Sequence, residues 1–162
     1  MTQTDIYLNP RAKMTPENSK IIQFSTGEPL PSRHSVLLVD DQDAFRDIAR
    51  DQLATDESFQ IIGEAADGTG AIQQTQKLHP AVIVMDIQMP DMSGIEAARQ
   101  ILKDDPSVRI VLTSMGDDME YGALAREIGA CGFIPKRELS ATAVHKLIDD
   151  HLPPADSARM AA

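Results

Sequence analysis

The chain of 162 residues is long enough for one ordinary domain with some tail, and too short for two. Its net charge of −10 argues against non-specific nucleic-acid binding, because a phosphate backbone attracts basic surfaces. No apolar run approaches the roughly 20 residues that span a bilayer, and a single cysteine excludes an internal disulfide, so we expect a cytoplasmic protein with no membrane association.

Residues 1–33 are expected to form a flexible N-terminal extension. Asn, Ser and Thr are frequent in it, and four prolines interrupt it: Pro10, Pro16, Pro29 and Pro31. We place one folded domain at 34–152 and a short C-terminal tail at 153–162.

Five apolar runs of strand length follow one another along the predicted domain. They are Val36–Val39, Phe59–Ile62, Ala81–Met85, Val108–Leu112 and the weaker Cys131–Pro135. Val36–Val39 and Ala81–Met85 are continuously apolar, which is typical of parallel strands covered on both faces. The intervals have helical periodicity, with weaker helices over 70–78 and 117–128 and a last helix over 138–151. Strict alternation predicts an α/β fold: a doubly wound, five-stranded parallel sheet with helices on both faces.

Polar residues suited to chemistry follow these predicted strands. Asp40 and Asp41 come after the first, Asp86 after the third, Thr113 at the end of the fourth and Lys136 after the fifth. Taken singly, an aspartate there could cap a helix or form an Asx-turn. Because the carboxyl ends of parallel strands meet at one edge of a sheet, we expect all five side chains to share one depression.

Three carboxylates in one depression point to a bound cation. A pair of carboxylates about 5 Å apart repels by roughly 3 kcal/mol at an effective dielectric near 20. A hard divalent cation relieves that repulsion, and oxygen ligands with retained waters suit Mg²⁺. One carboxylate could then attack phosphorus while Thr113 and Lys136 stabilise the oxygens of the transferred group. The pattern therefore predicts a phosphoryl-transfer site.

These motifs closely resemble those of response-regulator receiver domains, the CheY-like superfamily, over about residues 35–151. The matching segments are Leu37–Asp41, Val82–Glu96, Ile110–Ser114 and Gly132–Lys136. The most specific is Asp–x–x–Met–Pro–x–Met–x–Gly, which runs from Asp86 to Gly94. The resemblance implies a flavodoxin-like receiver fold and a response regulator of a two-component phosphorelay.

The Pro-Lys-Arg-Glu-Leu ending is similar to receivers of LuxR/NarL-type regulators, which carry a DNA-binding domain. Only a short Ala-rich tail follows His151. We therefore expect a stand-alone receiver with no direct DNA binding. Many receivers have proline directly after the conserved lysine. Here Arg137 follows Lys136 and Pro135 precedes it, so the bend after Lys136 must be made differently.

The resemblance also implies how the acidic residues act. Asp86 would accept a phosphoryl group from a histidine kinase or a phosphotransfer protein. Asp41, Asp86 and the backbone carbonyl of Gln88 would bind Mg²⁺ directly, and Asp40 would act largely through water. Lys136 would pair with Asp86 and later with its phosphate.

The implied switch residues are Thr113 and Phe133. Thr113 would swing its hydroxyl onto the phosphate, and Phe133 would turn inward as the coupled aromatic residue. We expect a downstream protein to bind the face formed by 117–151, and phosphorylation could also pair two copies of the chain. Such a switch is not an enzyme toward external substrates, because it catalyses only its own phosphorylation and dephosphorylation.

Two other interpretations stay open at the level of sequence. Asp41-Gln42-Asp43 is faintly similar to the nucleophile motif of haloacid-dehalogenase-like phosphatases. Multiple turnover of a small phosphoester that survives Asp86→Asn would favour that enzyme. A pseudo-receiver, with the same fold but a constitutive interaction surface, would gain no phosphate from acetyl phosphate and Mg²⁺.

Overall fold

Five strands and five helices alternate along residues 33–116 and 119–151, which are the residues that the computed structural model describes. The elements are β1 (His34–Val39), α1 (Asp43–Leu53), β2 (Phe59–Ala65), α2 (Gly68–Leu78), β3 (Val82–Asp86), α3 (Gly94–Asp104), β4 (Arg109–Ser114), α4 (Met119–Glu127), β5 (Gly132–Pro135) and α5 (Ala141–Asp150). A short 3₁₀ helix, Lys136–Glu138, lies between β5 and α5. The predicted extension lies outside the described residues except for Arg33, and the predicted tail lies wholly outside them.

The five strands form one parallel sheet in the order β2-β1-β3-β4-β5. The order reverses beside β1, since the chain passes first to one side of it and then to the other. Open sheets of this kind bind ligands at such a reversal, outside the carboxyl ends of the strands. The doubly wound α/β fold that the sequence predicts is therefore confirmed.

Apolar side chains fill both layers between the sheet and its helices. Alternate residues of β1 point to opposite faces, so Val36 and Leu38 join the core under α1 and α5, whereas Leu37 and Val39 join the core under α2, α3 and α4. Every residue of β3 is buried. This two-sided burial explains the continuous apolar runs in the sequence.

Some element boundaries differ from the sequence prediction. β2 continues to Ala65, since Gly63 to Ala65 pair with Leu37 to Val39 beyond a register shift between Val36 and Leu37. The second helix begins at Gly68, since Asp67 caps it by accepting the N–H of Gly70.

The predicted helix 117–128 ends one residue early, and the last helix is shorter than expected. α4 covers Met119–Glu127, and residues 117 and 118 lie outside the described ranges. α5 begins at Ala141, because Ser140 caps it by accepting the N–H of Ala143. Across the described ranges, no helix is both long and apolar enough to traverse a bilayer.

Candidate functional site

Three carboxylates meet at the carboxyl ends of β1 and β3. Asp40 and Asp41 directly follow β1, and Asp86 is the last residue of β3, the strand beside it. One carboxylate oxygen from each lies within 4.8 Å of the others. Asp40 and Asp86 are buried, whereas Asp41 is exposed. The two adjacent parallel strands thus deliver all three acids to one point.

Lys136 follows β5 and places its ammonium between two of these acids. Its Nζ lies 2.6 Å from Oδ2 of Asp40 and 3.4 Å from Oδ2 of Asp86. The nearer contact is an ion pair between two buried side chains. The ring of Phe45 covers the ammonium at 4.5 Å from its centroid. Lys136 is therefore shared between the two buried acids and lies nearer to Asp40 than to Asp86.

The electrostatic surroundings of Asp86 disfavour its ionised form. Burial raises the pKa of the Asp86 carboxyl above its usual value, and the charge of Asp40 raises it further. The Lys136 ammonium and the N–H of Gln88 act in the opposite direction. Three carboxylates against one ammonium leave a formal charge of −2 in the cluster.

Thr113 lies beside Asp86 on the neighbouring strand, where the two residues are register partners. Its side chain is fully buried, and its Oγ1 has no hydrogen-bond partner among the residues that the structure describes. Leaving a buried hydroxyl unsatisfied costs about 1–3 kcal/mol. The Thr113 hydroxyl is thus available to an incoming oxygen at the site.

Phe133 lies one strand further along, where Leu112 of β4 pairs with it in the register. Its ring is half-buried and contacts Tyr121 of α4, with ring centroids 5.3 Å apart. The predicted aromatic residue therefore connects β5 to α4, one residue along the register from Thr113.

Gly94 lets α3 begin directly against the backbone of the strand that carries Asp86. Its N–H donates to the carbonyl of Ile87 at 2.8 Å. A Cβ at this position would overlap the carbonyl oxygen of Asp86. Only glycine permits this approach, which explains the Gly that closes the motif.

Asp91, in the loop between Asp86 and α3, has a structural role that sequence reasoning missed. Its carboxylate accepts the N–H groups of Gly68 and Thr69, each at 2.9 Å, and the Thr69 hydroxyl at 2.8 Å. It therefore caps the first turn of α2, a helix that begins 23 residues earlier. No local pattern signals so distant a cap, and this one fixes the loop that contains Gln88.

We predict that Asp91→Asn lowers stability at pH 7. The donated N–H groups hold the pKa of Asp91 well below its usual range, so its contribution is complete above the unfolded pKa of about 4 and is lost as the pH falls through the lower folded value. Chemical denaturation at pH 7 and at acid pH measures this. The control Asp51→Asn replaces an exposed acid on α1. Equal effects of the two substitutions at pH 7 would contradict the prediction.

The bend after Lys136 is made by the 3₁₀ helix Lys136–Glu138, closed by the Leu139 N–H donating to the Lys136 carbonyl at 3.4 Å. The peptide bonds of the described residues are all trans. The 3₁₀ helix therefore makes the turn after Lys136 without the proline that many receivers have at the position of Arg137.

Asp43 does not join the acidic cluster. It lies in the first turn of α1, its side chain is 87% exposed, and it pairs with Arg46. Asp41 and Asp43 therefore do not form the pair of neighbouring carboxylates that a phosphatase-like nucleophile motif requires. The carboxylate of Asp41 lies instead near that of Asp86.

A separate cavity of about 230 Å³ lies between α2 and α3. Its lining includes Ile72, His79, Ile101 and Asp104, near the carboxyl ends of both helices. In a parallel α/β sheet, helices run opposite to the strands, so this cavity lies toward the other edge of the sheet. The acidic cluster is a distinct site.

The cluster fits a magnesium ion. Closely spaced carboxylate oxygens are the donors that hard divalent cations prefer. The formal charge of −2 at the cluster matches one divalent cation. Burial is the main cause of the raised pKa of Asp86, and the charge of Asp40, which Lys136 only partly offsets, raises it further.

Comparison with known proteins agrees with this geometry. Residues 36–149 match the response regulator receiver domain family. The chain is 42% identical over 102 residues to a protein-glutamate methylesterase/protein-glutamine glutaminase of Alkalilimnicola ehrlichii, covering 62% of this chain and 26% of that relative. The match therefore spans about a quarter of the relative's length.

Solved structures give the same result. The signal receiver domain of NarL from Mycobacterium tuberculosis is 29% identical with a TM-score of 0.66, covering 74% of this chain and 96% of that one. A chain of the CheX–CheY–BeF₃⁻–Mg²⁺ complex from Borrelia burgdorferi is 29% identical with a TM-score of 0.63, covering 78% of this chain and 92% of that one. With its strand order and its acidic cluster, the chain belongs to the response regulator receiver domain family.

Proposed function

We propose that this protein is a phosphorylation switch of a two-component phosphorelay, with Asp86 as the acceptor of the phosphoryl group. The donor is a phosphohistidine on a histidine kinase or a phosphotransfer protein. The observation that carries the proposal is a group of side chains at the carboxyl ends of the strands. It comprises a buried carboxylate, two further acids, a buried ammonium and a hydroxyl that has no hydrogen-bond partner within the described part of the chain.

The proposed transfer is a displacement at phosphorus. A carboxylate oxygen of Asp86 attacks the phosphorus, the bond from phosphorus to the donor imidazole nitrogen breaks, and the imidazole leaves. Asp41, Asp86 and the backbone carbonyl of Gln88 would hold Mg²⁺, with Asp40 acting through water. When bound, the ion neutralises charge on the phosphoryl oxygens. Lys136 then shifts from the carboxylates to a phosphoryl oxygen.

In this proposal the switch is a shift between two conformations. The Thr113 hydroxyl donates to a phosphoryl oxygen, and Phe133, one residue along the register on the adjacent strand, turns inward. Moving a population from 1:99 to 99:1 takes about 5.5 kcal/mol of differential binding. Charge-assisted contacts from Lys136 and a hydrogen bond from Thr113 supply part of it. The face formed by α4, β5 and α5 then binds a downstream protein.

The Borrelia burgdorferi structure supports this chemistry. That complex contains BeF₃⁻ and Mg²⁺ together with a chain that resembles this one over most of the domain. Beryllium fluoride mimics a phosphoryl group on a carboxylate. The same pair of ligands is therefore the appropriate probe for the acidic cluster described above.

Incubation with acetyl phosphate and Mg²⁺ tests the proposal. Intact-mass spectrometry is expected to show the addition of one phosphoryl group to the native protein, labile to hydroxylamine because an acyl phosphate forms. Asp86→Asn should abolish the adduct, whereas Asp51→Asn, on the exposed face of α1, should retain it. A native protein whose mass never rises, or an adduct that survives Asp86→Asn, would overturn the assignment.

A further inference from the structure

The loop between β1 and α1 carries two of the three acids, and its conformation is fixed at Asp40. The Asp40 N–H donates to the Ala65 carbonyl at 3.1 Å. Its Oδ1 accepts the Gln42 N–H at 2.9 Å, and its Oδ2 pairs with Lys136. The fourth polar group, the Asp40 carbonyl, accepts a hydrogen bond from Nη1 of Arg46 at 2.5 Å.

The Arg46 guanidinium is itself held in place. Its side chain is only 14% exposed, and its Nε donates to Oε2 of Glu64 on β2 at 3.0 Å. It also pairs with Asp43 in the first turn of α1. A planar guanidinium with several donors in fixed directions can contact three groups at once. Arg46 therefore connects α1, β2 and the acidic loop.

The bond to the Asp40 carbonyl bears directly on Asp41. The carbonyl of Asp40 lies in the same rigid peptide plane as the nitrogen and Cα of Asp41. Fixing that carbonyl fixes the plane, and so the point from which the exposed Asp41 side chain extends. Asp41 itself is solvent-exposed, so packing constrains its direction less than it constrains Asp40.

We propose that Arg46 is a positioning residue for the metal site: by holding the peptide between Asp40 and Asp41, it directs the Asp41 carboxylate toward a divalent cation shared with Asp86. This inference rests on the proposed function, since it concerns the same cation. Groups that orient a metal ligand without touching the metal typically contribute about 10- to 100-fold to affinity.

Arg50 provides a matched control on the same helix. It lies one turn beyond Arg46, pairs with the same Glu64 through that residue's other oxygen, and pairs with Asp47. Its described contacts do not include the acidic loop. Replacing either arginine removes one positive charge and one pair with Glu64, but only Arg46→Gln frees the Asp40 carbonyl.

The experiment measures Mg²⁺ affinity and phosphorylation separately. Mg²⁺ alone is titrated into the native protein and into the Arg46→Gln and Arg50→Gln variants. Binding is measured by calorimetry or by the rise in melting temperature. The rate of phosphorylation by acetyl phosphate is then measured across the same Mg²⁺ range. We expect Arg46→Gln to raise the half-saturating Mg²⁺ concentration about tenfold in both assays and to leave the rate at saturating Mg²⁺ close to native. Arg50→Gln should match the native protein.

The split between affinity and maximal rate separates positioning from a general structural role. Lost stability alone would lower the metal-free melting temperature without changing the Mg²⁺ midpoint of the folded protein. If Arg46→Gln does not fold, Arg46→Lys is used in its place, because lysine keeps the positive charge but lacks the planar guanidinium that contacts several groups at once. The same rise in the half-saturating Mg²⁺ concentration is expected.

Two results would overturn the inference. An unchanged Mg²⁺ midpoint in both Arg46 variants, beside a native protein that binds Mg²⁺ and is phosphorylated, rejects the role of Arg46 alone. A native protein that neither responds to Mg²⁺ nor accepts phosphate rejects the proposed function and this inference with it.

Discussion

Replacing Lys136 with methionine is expected to lower the free energy of unfolding by about 3–5 kcal/mol in metal-free buffer at pH 7, since removing one partner of a buried ion pair leaves an uncompensated charge. Methionine keeps the length of the side chain but has no ammonium. Asp40 and Asp86, both nearly inaccessible to solvent, would then face each other with no cation between them. The contact with the Phe45 ring would lose its cationic component as well.

Equilibrium denaturation with urea measures this loss, and two further variants interpret it. Lys146→Met, at an exposed position of α5, controls for the loss of one positive charge. The double variant Lys136→Met/Asp40→Asn should recover much of the stability, because it removes one of the two carboxylates that the ammonium neutralises. The coupling energy from the cycle reports the pair itself.

The pH dependence provides an internal check on the Lys136 prediction. The deficit of Lys136→Met should shrink as the pH falls, since the pKa of Asp86 is raised and its protonated carboxyl no longer requires an ammonium. Added Mg²⁺ should also reduce it, because the cation takes over the neutralising role. A loss no larger than that of Lys146→Met would show that the lysine does not hold the cluster together.

Much of the fold and the site could be predicted from the sequence because both depend on repeating patterns. Continuous apolar runs such as Ile83 to Met85 indicate buried parallel strands, and parallel strands bring their carboxyl ends to one edge. The positions of Asp40, Asp86 and Thr113 follow from that topology without knowledge of any contact. The structure brings these residues together as the topology requires.

Contacts between distant segments could not be predicted in this way. Asp91 caps a helix that begins 23 residues earlier, and Arg46 reaches Glu64 across 18 residues. His34 and His145 are widely spaced in the sequence, yet their rings lie 5.8 Å apart. Such contacts depend on how loops and helices pack on the sheet, and a single sequence contains no periodic signal for them.

The distances of the Lys136 ammonium from Asp40 and from Asp86 could not be predicted from the sequence either. Family resemblance pairs Lys136 with Asp86. In the structure its Nζ lies 2.6 Å from Oδ2 of Asp40 and 3.4 Å from Oδ2 of Asp86, so it is closer to Asp40 by 0.8 Å. This placement leaves Asp86 the farther of the two acids from the ammonium. Burial raises the pKa of Asp86, and the charge of Asp40, which Lys136 only partly offsets, raises it further. A carboxylate with incomplete neutralisation is suited to receive a cation and a phosphoryl group.

The same incomplete neutralisation predicts that Asp86→Asn stabilises the protein when metal is absent. Burial and the Asp40 charge raise the folded pKa of Asp86 above its unfolded value of about 4. The ionised group therefore opposes folding at any pH above the folded value, and this cost disappears as the pH falls through the folded pKa toward the unfolded one. Asparagine has nearly the same shape and no charge, so we expect a gain of roughly 1–2 kcal/mol at pH 7, less than the bare repulsion because Lys136 loses one partner.

Magnesium should reverse this order of stability. A cation that binds only the folded state stabilises it by RT ln(1 + [Mg²⁺]/Kd), and the native protein, with all three carboxylates, should gain more than Asp86→Asn. Melting curves in EDTA and in excess Mg²⁺, at pH 7 and near pH 4, measure both effects. Asp51→Asn, at an exposed position, should follow the native protein throughout. If Asp86→Asn melts below the native protein in EDTA at pH 7, the buried cluster is not under electrostatic strain, and its affinity for a cation needs another physical basis.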